Sequence, residues 1–174
     1  CGPYIVMTDK VFSENRIKKD DADFKALLES ELGHPVIIIP WTQHEDDKYG
    51  HSDGFIKWCG DNRILMGNHG DCYPEEAASI RRILESYGFE VTEMRFKGNV
   101  DKPCYDLNWA YINFLQVGKN IIMPIFDIPE DAIAQQYIQT AFPDCNIRQI
   151  EMKEIAKEGG ALHCLSWNVY LPKS

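Results

Sequence analysis

The sequence lacks several features that mark particular classes of protein. Among its 174 residues, no apolar run approaches the roughly 20 residues that a transmembrane helix needs. Runs such as Val36–Ile39 have the length of a strand instead. No stretch has the composition of a linker or of a low-complexity tract. The sequence therefore predicts a single domain over residues 1–174, with a sizeable core and no membrane association.

Positive charge is also scarce in this sequence. The 18 Lys and Arg residues stand against 27 Asp and Glu residues, which gives a formal net charge of −9. Proteins that bind nucleic acid need a basic surface for its phosphates, so a nucleic-acid partner is excluded. An acidic protein instead suits a small cationic substrate.

The cysteines lack the spacing of a metal or redox motif. There are six of them, and no two form a Cys-x-x-Cys pair, so neither a zinc ribbon nor a redox motif is indicated. A chain of this length does not need a disulfide framework to be stable. We therefore expect reduced thiols and a cytoplasmic location.

The most informative feature that is present is an internal repeat. The segment around Gly60 recurs around Gly118, and Pro74-Glu75-Glu76-Ala77 recurs as Pro129-Glu130-Asp131-Ala132, at offsets of 58 and 55 residues. Each unit is predicted to form strand, turn, strand, helix and strand. The predicted units cover roughly residues 50–107 and 108–160. The pattern indicates an α/β fold of stacked units whose equivalent strands face one axis.

Polar residues occur at the predicted first strand of each unit. His51 and Asp53 alternate on one such strand and therefore share a face. Asn113 lies on the equivalent strand of the second unit, and Cys164 lies on a further strand that is predicted after it. If equivalent strands surround one axis, these four side chains converge there. A thiol, an imidazole, a carboxylate and an amide together suit a nucleophilic site.

Several segments resemble the agmatine deiminase and Porphyromonas-type peptidylarginine deiminase family. They are Val6-Met7-Thr8-Asp9, Gly50-His51-Ser52-Asp53, Tyr111-Ile112-Asn113-Phe114 and Gly159-Gly160-Ala161-Leu162-His163-Cys164. The resemblance covers essentially the whole chain. It implies the pentein fold, a five-bladed β/α propeller of pseudo-repeated ββαβ units, of which this chain is expected to hold about three.

The resemblance also implies a reaction and a role for each matching residue. The reaction is hydrolysis of the guanidino group of agmatine or of a peptidyl-arginine, through a covalent thiouronium and without a metal or a cofactor. Cys164 matches the nucleophile, and His51 matches the acid and base. Asp53 matches a carboxylate that binds the guanidinium, and Asn113 matches a polar residue beside the site. Asp47 matches an acidic position that meets the far end of the substrate.

One part of the family pattern is missing from this sequence. The first guanidinium-binding acid of the family lies in a Trp-x-Arg-Asp segment, and this sequence contains no Arg-Asp dipeptide. We therefore expect about two propeller units to precede Cys1 in a complete protein. The chain alone is then expected to be weakly active or inactive. The open faces of an incomplete propeller also predict self-association, or pairing with the missing units.

Two other functions are compatible with the same residues. His69 and Asp71 form a second His-x-Asp pair, which with His51 and Asp53 predicts a metallohydrolase, because imidazole and carboxylate are zinc ligands. A propeller without activity would instead be a binding module. The combination of Cys164 with His51 and Asp53 argues against that function. His163 is expected to lie on the opposite face of the strand from Cys164 and to be structural.

Overall fold

A computed structural model describes residues 1–41, 49–96, 107–167 and 169, with the backbone alone at 107–109. The strands are β1 Ile5–Thr8, β2 Val36–Ile39, β3 Ile56–Trp58, β4 Arg63–Met66, β5 Glu90–Glu93, β6 Leu115–Val117, β7 Asn120–Ile125 and β8 Asn146–Glu151. The α-helices are α1 Lys10–Glu14, α2 Ala22–Leu32, α3 His69–Cys72, α4 Pro74–Ser86, α5 Glu130–Ala141 and α6 Lys153–Ala156. Two 3₁₀ helices cover Ser52–Gly54 and Leu107–Ile112.

The strands form two sheets of identical topology and one smaller sheet. In the sheet β3-β4-β5, the middle strand is antiparallel to β3 and parallel to β5. The sheet β6-β7-β8 repeats this arrangement, and α4 and α5 connect the parallel strands. A parallel pair, β1 and β2, precedes them. The α/β fold class that the repeat predicted is therefore confirmed.

Local sequence signals account for the residues at which α4 and α2 begin. Pro74 begins α4, and Glu75 and Glu76 place negative charge in its first turn, where the helix dipole favours it. The apolar face of α4 is buried. In α2 the N-cap is Asp21, whose side chain accepts a hydrogen bond from the Phe24 N–H at 2.8 Å. Asp20, the residue before this cap, lies outside the helix with a φ of 62°.

Strand β4 lies between two apolar clusters and joins them. Ile64 and Met66 belong to one cluster, with Ile80 of α4. Leu65 faces the other cluster, where it joins Tyr111. Successive side chains of a strand point to opposite faces, so a strand with both faces covered holds the two neighbouring units together. This packing holds in place the chain segments that precede β3 and β6, which contain Asp53 and Asn113.

The candidate site residues do not lie on strands, which corrects the sequence-based prediction. Asp53 lies in the 3₁₀ helix Ser52–Gly54, and Asn113 directly follows the 3₁₀ helix Leu107–Ile112. Cys164 lies in a turn. The strands of the first two segments begin two or three residues later. Alternation within a strand therefore does not explain how these side chains are placed.

The cysteines differ from the expectation in one respect. Cys1, Cys59, Cys145 and Cys164 are free, but Cys72 is disulfide-bonded. The prediction that all six thiols are reduced is therefore wrong, because a chain that needs no disulfide framework can still contain a single bridge. Among the helices of the described residues, none is both long enough and apolar enough to cross a membrane.

Candidate functional site

Three of the predicted site residues, Asp53, Asn113 and Cys164, are joined by hydrogen bonds. The Cys164 thiol donates a hydrogen bond to Asp53 Oδ2 at 3.2 Å. Asn113 Nδ2 donates to the same carboxylate oxygen at 2.9 Å. Asp53 thus accepts from both partners through one oxygen. Among the described residues, nothing donates to Oδ1, so this oxygen is left for a ligand.

Asn113 organises the turn that carries Cys164. Its side chain is buried, with 1% exposure, and its Oδ1 accepts the backbone N–H groups of Ala161 at 3.0 Å and Cys164 at 3.1 Å. The Asn113 carbonyl oxygen accepts the N–H of His163 at 3.0 Å. Since Oδ1 takes two backbone donors, Nδ2 must face Asp53. One amide therefore fixes the relative positions of the thiol and the carboxylate.

The environment of Cys164 keeps its thiol protonated in the absence of a ligand. Partial burial raises the pKa of the thiol, and the hydrogen bond to Asp53 with the negative charge of that carboxylate raises the pKa further. The contacts with Asn113 and Ala161 act in the opposite direction. A carboxylate that accepts a hydrogen bond from the thiol stabilises the neutral thiol, so a cation at Asp53 would weaken this effect.

The two glycines before Cys164 allow a close approach that other residues would prevent. Gly159 has a φ of 95°, and a Cβ there would lie 2.9 Å from Cε2 of Tyr49. At Gly160 a Cβ would lie 3.0 Å from the Cβ of Cys164. The first contact is shorter than Cβ atoms make, and the second is tight enough that Cys164 would have to shift, which gives the Gly-Gly pair of the sequence motif a steric reason.

His51, a further predicted residue, is not hydrogen-bonded to this cluster within the described part of the chain. His51 is exposed and its ring lies 5.9 Å from the ring of Tyr49, measured between centroids. Tyr49 contacts Gly159, so the His51 loop adjoins the Cys164 loop. Within the described ranges, the His51 ring makes no hydrogen bond to Asp53 or Cys164. Asp47 lies outside the described residues.

Lys57 lies beside the site and was missed by the sequence analysis. Its ammonium donates to the Phe114 carbonyl oxygen at 3.2 Å and lies 3.3 Å from Nδ1 of His163. Burial lowers the pKa of Lys57, while the charges of Asp53 and Cys164 act to raise it. The position of Lys57 inside the apolar segment Phe55-Ile56-Lys57-Trp58 is the signal that could have indicated a partly buried cation.

The second His-x-Asp pair serves a different part of the structure. The His69 ring packs edge-on against the Phe55 ring, with centroids 5.0 Å apart, and its Nε2 lies 3.4 Å from Glu76 Oε2. Asp71 forms an ion pair with Arg95 at 2.7 Å. Among the described residues, no group of three or more His, Cys, Asp or Glu side chains is arranged to hold a metal ion. Within the described ranges, His69 and Asp71 therefore do not combine with His51 and Asp53 into one ligand set.

Known proteins share the sequence pattern of this chain. Residues 2–169 match the family model of the Porphyromonas-type peptidyl-arginine deiminases. The chain belongs to this family. An agmatine deiminase of Ectopseudomonas mendocina is 27% identical over 173 residues, which cover 83% of this chain and 47% of that protein. An agmatine deiminase of Pseudomonas aeruginosa is 37% identical over 143 residues, which cover 79% of this chain and 37% of that protein.

Solved structures of family members share the fold. The agmatine deiminase of C. jejuni superposes with a TM-score of 0.73 at 20% identity, over 93% of this chain and 50% of that chain. A putative arginine deiminase from Porphyromonas gingivalis gives a TM-score of 0.74 at 20% identity, over 94% and 52%. The chain thus has a partial pentein propeller fold. It spans about half the length or less of the curated relatives it matches.

Proposed function

We propose that this chain carries the nucleophile and one carboxylate of a site that hydrolyses a guanidino group. The observation that supports this function is the contact of 3.2 Å between the Cys164 sulfur and Asp53 Oδ2. A nucleophile and a cation-binding carboxylate must contact adjacent atoms of the same guanidinium. Agmatine and peptidyl-arginine are the candidate substrates, because both present a guanidinium at the end of a flexible chain.

Binding of the substrate would activate the thiol. A guanidinium donates paired hydrogen bonds to a carboxylate, and Asp53 has an oxygen available for it. Burial raises the pKa of Cys164 most, and Asp53 raises it further; once Asp53 is neutralised by this cation, the contribution of Asp53 is removed. The positive charge beside the sulfur then favours the thiolate. The resting thiol is therefore unreactive, and it becomes nucleophilic when the correct cation is present.

The proposed reaction proceeds in two balanced steps. The Cys164 thiolate attacks the guanidinium carbon, and one C–N bond breaks as His51 delivers a proton to the departing ammonia. The product of this step is a thiouronium on Cys164. His51 then removes a proton from a water molecule, which attacks the same carbon and expels the thiolate. The ureido product leaves with the oxygen of that water. His51 is exposed in its present position, so this role requires its ring to move toward the sulfur.

The test is Cys164-dependent release of ammonia by the 174-residue chain. Agmatine and an arginyl peptide are supplied separately, and ammonia and the ureido product are quantified. We expect slow release for the wild type and none for Cys164→Ser, because an alcohol is far less ionised than a thiol near neutral pH. Cys145→Ser is the matched control, since Cys145 is a free cysteine outside the site.

Two results would reject this function. Ammonia release that is equal in Cys164→Ser and the wild type would show that the cysteine is not the nucleophile. Because the chain alone is expected to be weakly active or inactive, a lack of release rejects the function only when the remaining propeller units are supplied, and it would then favour a binding module. A chelator separates the metallohydrolase from the deiminase. The deiminase keeps its activity when a chelator is added, whereas the metallohydrolase loses it and tolerates the change at Cys164.

We also propose that the chain associates with itself. Leu165, Trp167 and Val169 alternate along the segment after the site and are 65%, 89% and 61% exposed. Apolar side chains that are this exposed favour association with a partner. Light scattering on the wild type and on Trp167→Ser tests the proposal. A wild-type chain that stays monomeric at high concentration would reject it.

A cytoplasmic location remains a proposal. The free thiols of Cys1, Cys59, Cys145 and Cys164 support it, because free cysteines persist in reducing compartments. The disulfide at Cys72 argues in the other direction. Titration of free thiols in protein that is isolated under alkylating conditions tests whether the bridge exists in the cell.

A further inference from the structure

Lys57 joins the two chain segments that carry Asn113 and Cys164. Its ammonium donates to the carbonyl oxygen of Phe114, the residue after Asn113, at 3.2 Å. The same ammonium lies 3.3 Å from Nδ1 of His163, the residue before Cys164. It also lies 4.8 Å from the centre of the Phe114 ring, within range of a cation–π interaction. Lys57 thus contacts an immediate neighbour of each of two site residues.

The contact with His163 has only one chemical form. An ammonium has donors and no acceptor, so Nδ1 of His163 must accept and the ring proton must lie on Nε2. Burial lowers the pKa of His163, and the charge of Lys57 lowers it further. The imidazole is therefore neutral at neutral pH. The structure uses it as an acceptor that holds the turn of Cys164 against Lys57.

The charge of Lys57 balances the negative groups of the site. Asp53 lies in the 3₁₀ helix before β3, Cys164 lies in the turn, and Cys59 follows β3; the charge of each acts to raise the pKa of Lys57. An interaction between two charges is mutual, so the ammonium also stabilises the thiolate of Cys164 relative to the thiol. Burial and the Asp53 carboxylate outweigh this effect, because together they raise the pKa of Cys164.

We propose that Lys57 is a positioning residue for Cys164: it holds the Phe114 carbonyl and the His163 ring in place, and its charge favours the thiolate. This inference rests on the proposed role of Cys164 as the nucleophile. Lys57 itself does not contact the sulfur through a hydrogen bond, so it acts through the segments it joins and through its charge.

The test measures the pH dependence of alkylation of Cys164 by iodoacetamide, with peptide mapping to separate Cys164 from the other cysteines. Lys57→Met keeps most of the side-chain volume and removes the charge. We expect the midpoint of the Cys164 profile to rise by about half a pH unit to one unit, which is roughly threefold to tenfold slower alkylation at neutral pH. Lys57→Arg should restore the wild-type profile, because it keeps a cation and donors.

Lys25→Met is the matched control. Lys25 is also partly buried, with 35% side-chain exposure, but it pairs with Glu29 along α2 at 3.1 Å and lies outside the site. We expect no change in the Cys164 profile. A profile of Lys57→Met that matches that of Lys25→Met would overturn the inference, and so would a Lys57→Arg profile that remains shifted.

A second measurement uses the wild-type chain and is independent of whether Lys57→Met folds. The ¹⁵N chemical shifts of the His163 ring should report a proton on Nε2 and an unprotonated, hydrogen-bonded Nδ1. A proton on Nδ1 would overturn the inference. Alkylation needs no turnover, so the outcomes are separable. A shifted profile would support the effect of Lys57 on Cys164 whether or not ammonia is released, whereas ammonia release that is equal in Cys164→Ser and the wild type would reject the proposed function alone.

Discussion

Replacement of Asp53 by Asn should abolish the preference of Cys164 for cationic electrophiles. Chloroacetamidine and chloroacetamide alkylate a thiolate by the same displacement, but only the amidine carries a positive charge and the donors of a guanidinium. Asp53 lies 3.2 Å from the Cys164 sulfur and has an oxygen that accepts nothing from the described residues. It should therefore hold the amidine close to the thiol before the reaction.

The magnitude follows from the strength of such a contact. Hydrogen bonds to a charged group are worth about 1.5–3 kcal/mol, and the partial exposure of Asp53 places this one at the low end. A contribution of about 1.4 kcal/mol is a factor of ten. We therefore expect the ratio of amidine to amide rates at Cys164 to exceed the same ratio at Cys145 by about tenfold.

The ratio of amidine to amide rates separates binding of the cation at Asp53 from ionisation of the Cys164 thiol. The Asp53 carboxylate raises the pKa of Cys164, so Asp53→Asn lowers that pKa, and the neutral chloroacetamide should react faster below it. The larger thiolate fraction affects both reagents equally and cancels in the ratio. In Asp53→Asn the ratio at Cys164 should fall to that of Cys145. An unchanged ratio would refute the assignment of Asp53 as the group that binds the cation.

Two further predictions concern stability. Asn113→Ala should lower the free energy of unfolding by about 2–4 kcal/mol, because the N–H groups of Ala161 and Cys164 lose their acceptor; urea denaturation measures it. Asn62→Ala, which removes one exposed bond to the Gly88 carbonyl, is the control and should cost less than about 1 kcal/mol. Burial raises the pKa of the Cys59 thiol from 9.0 to about 11. The unfolded chain therefore releases this proton first, and stability should fall by about 2–3 kcal/mol between pH 9 and 11; an equal fall in Cys59→Ala would contradict this cause.

The helices and the repeated topology could be predicted because their signals are local. Pro74 with two following glutamates begins a helix in isolation as well as in the fold. The recurrence of this pattern at Pro129 predicts a second unit of the same kind. The parallel direction of the two strands on either side of each helix then follows, since strands of one sheet that a helix connects run parallel.

The local structure at the site could not be predicted because tertiary contacts determine it. The turn of Cys164 is held by Asn113, and the approach of Tyr49 to Gly159 depends on a loop far away in the sequence. The prediction that Asp53, Asn113 and Cys164 lie close together was made from strand alternation, and the structure reaches the same proximity through helices and a turn. Their catalytic roles, and that of His51, remain predictions.

The three site residues also determine when the site forms during folding. The bond between Cys164 and Asp53 joins residues 111 positions apart, and the bonds of Asn113 to Asp53 and Cys164 span 60 and 51 positions. Each ββαβ unit closes much shorter loops and can form before these bonds do. The contact between Cys164 and Asp53 should therefore form only after both units have docked. The moment at which Asp53 begins to affect the reactivity of the Cys164 thiol would then date the last stage of folding.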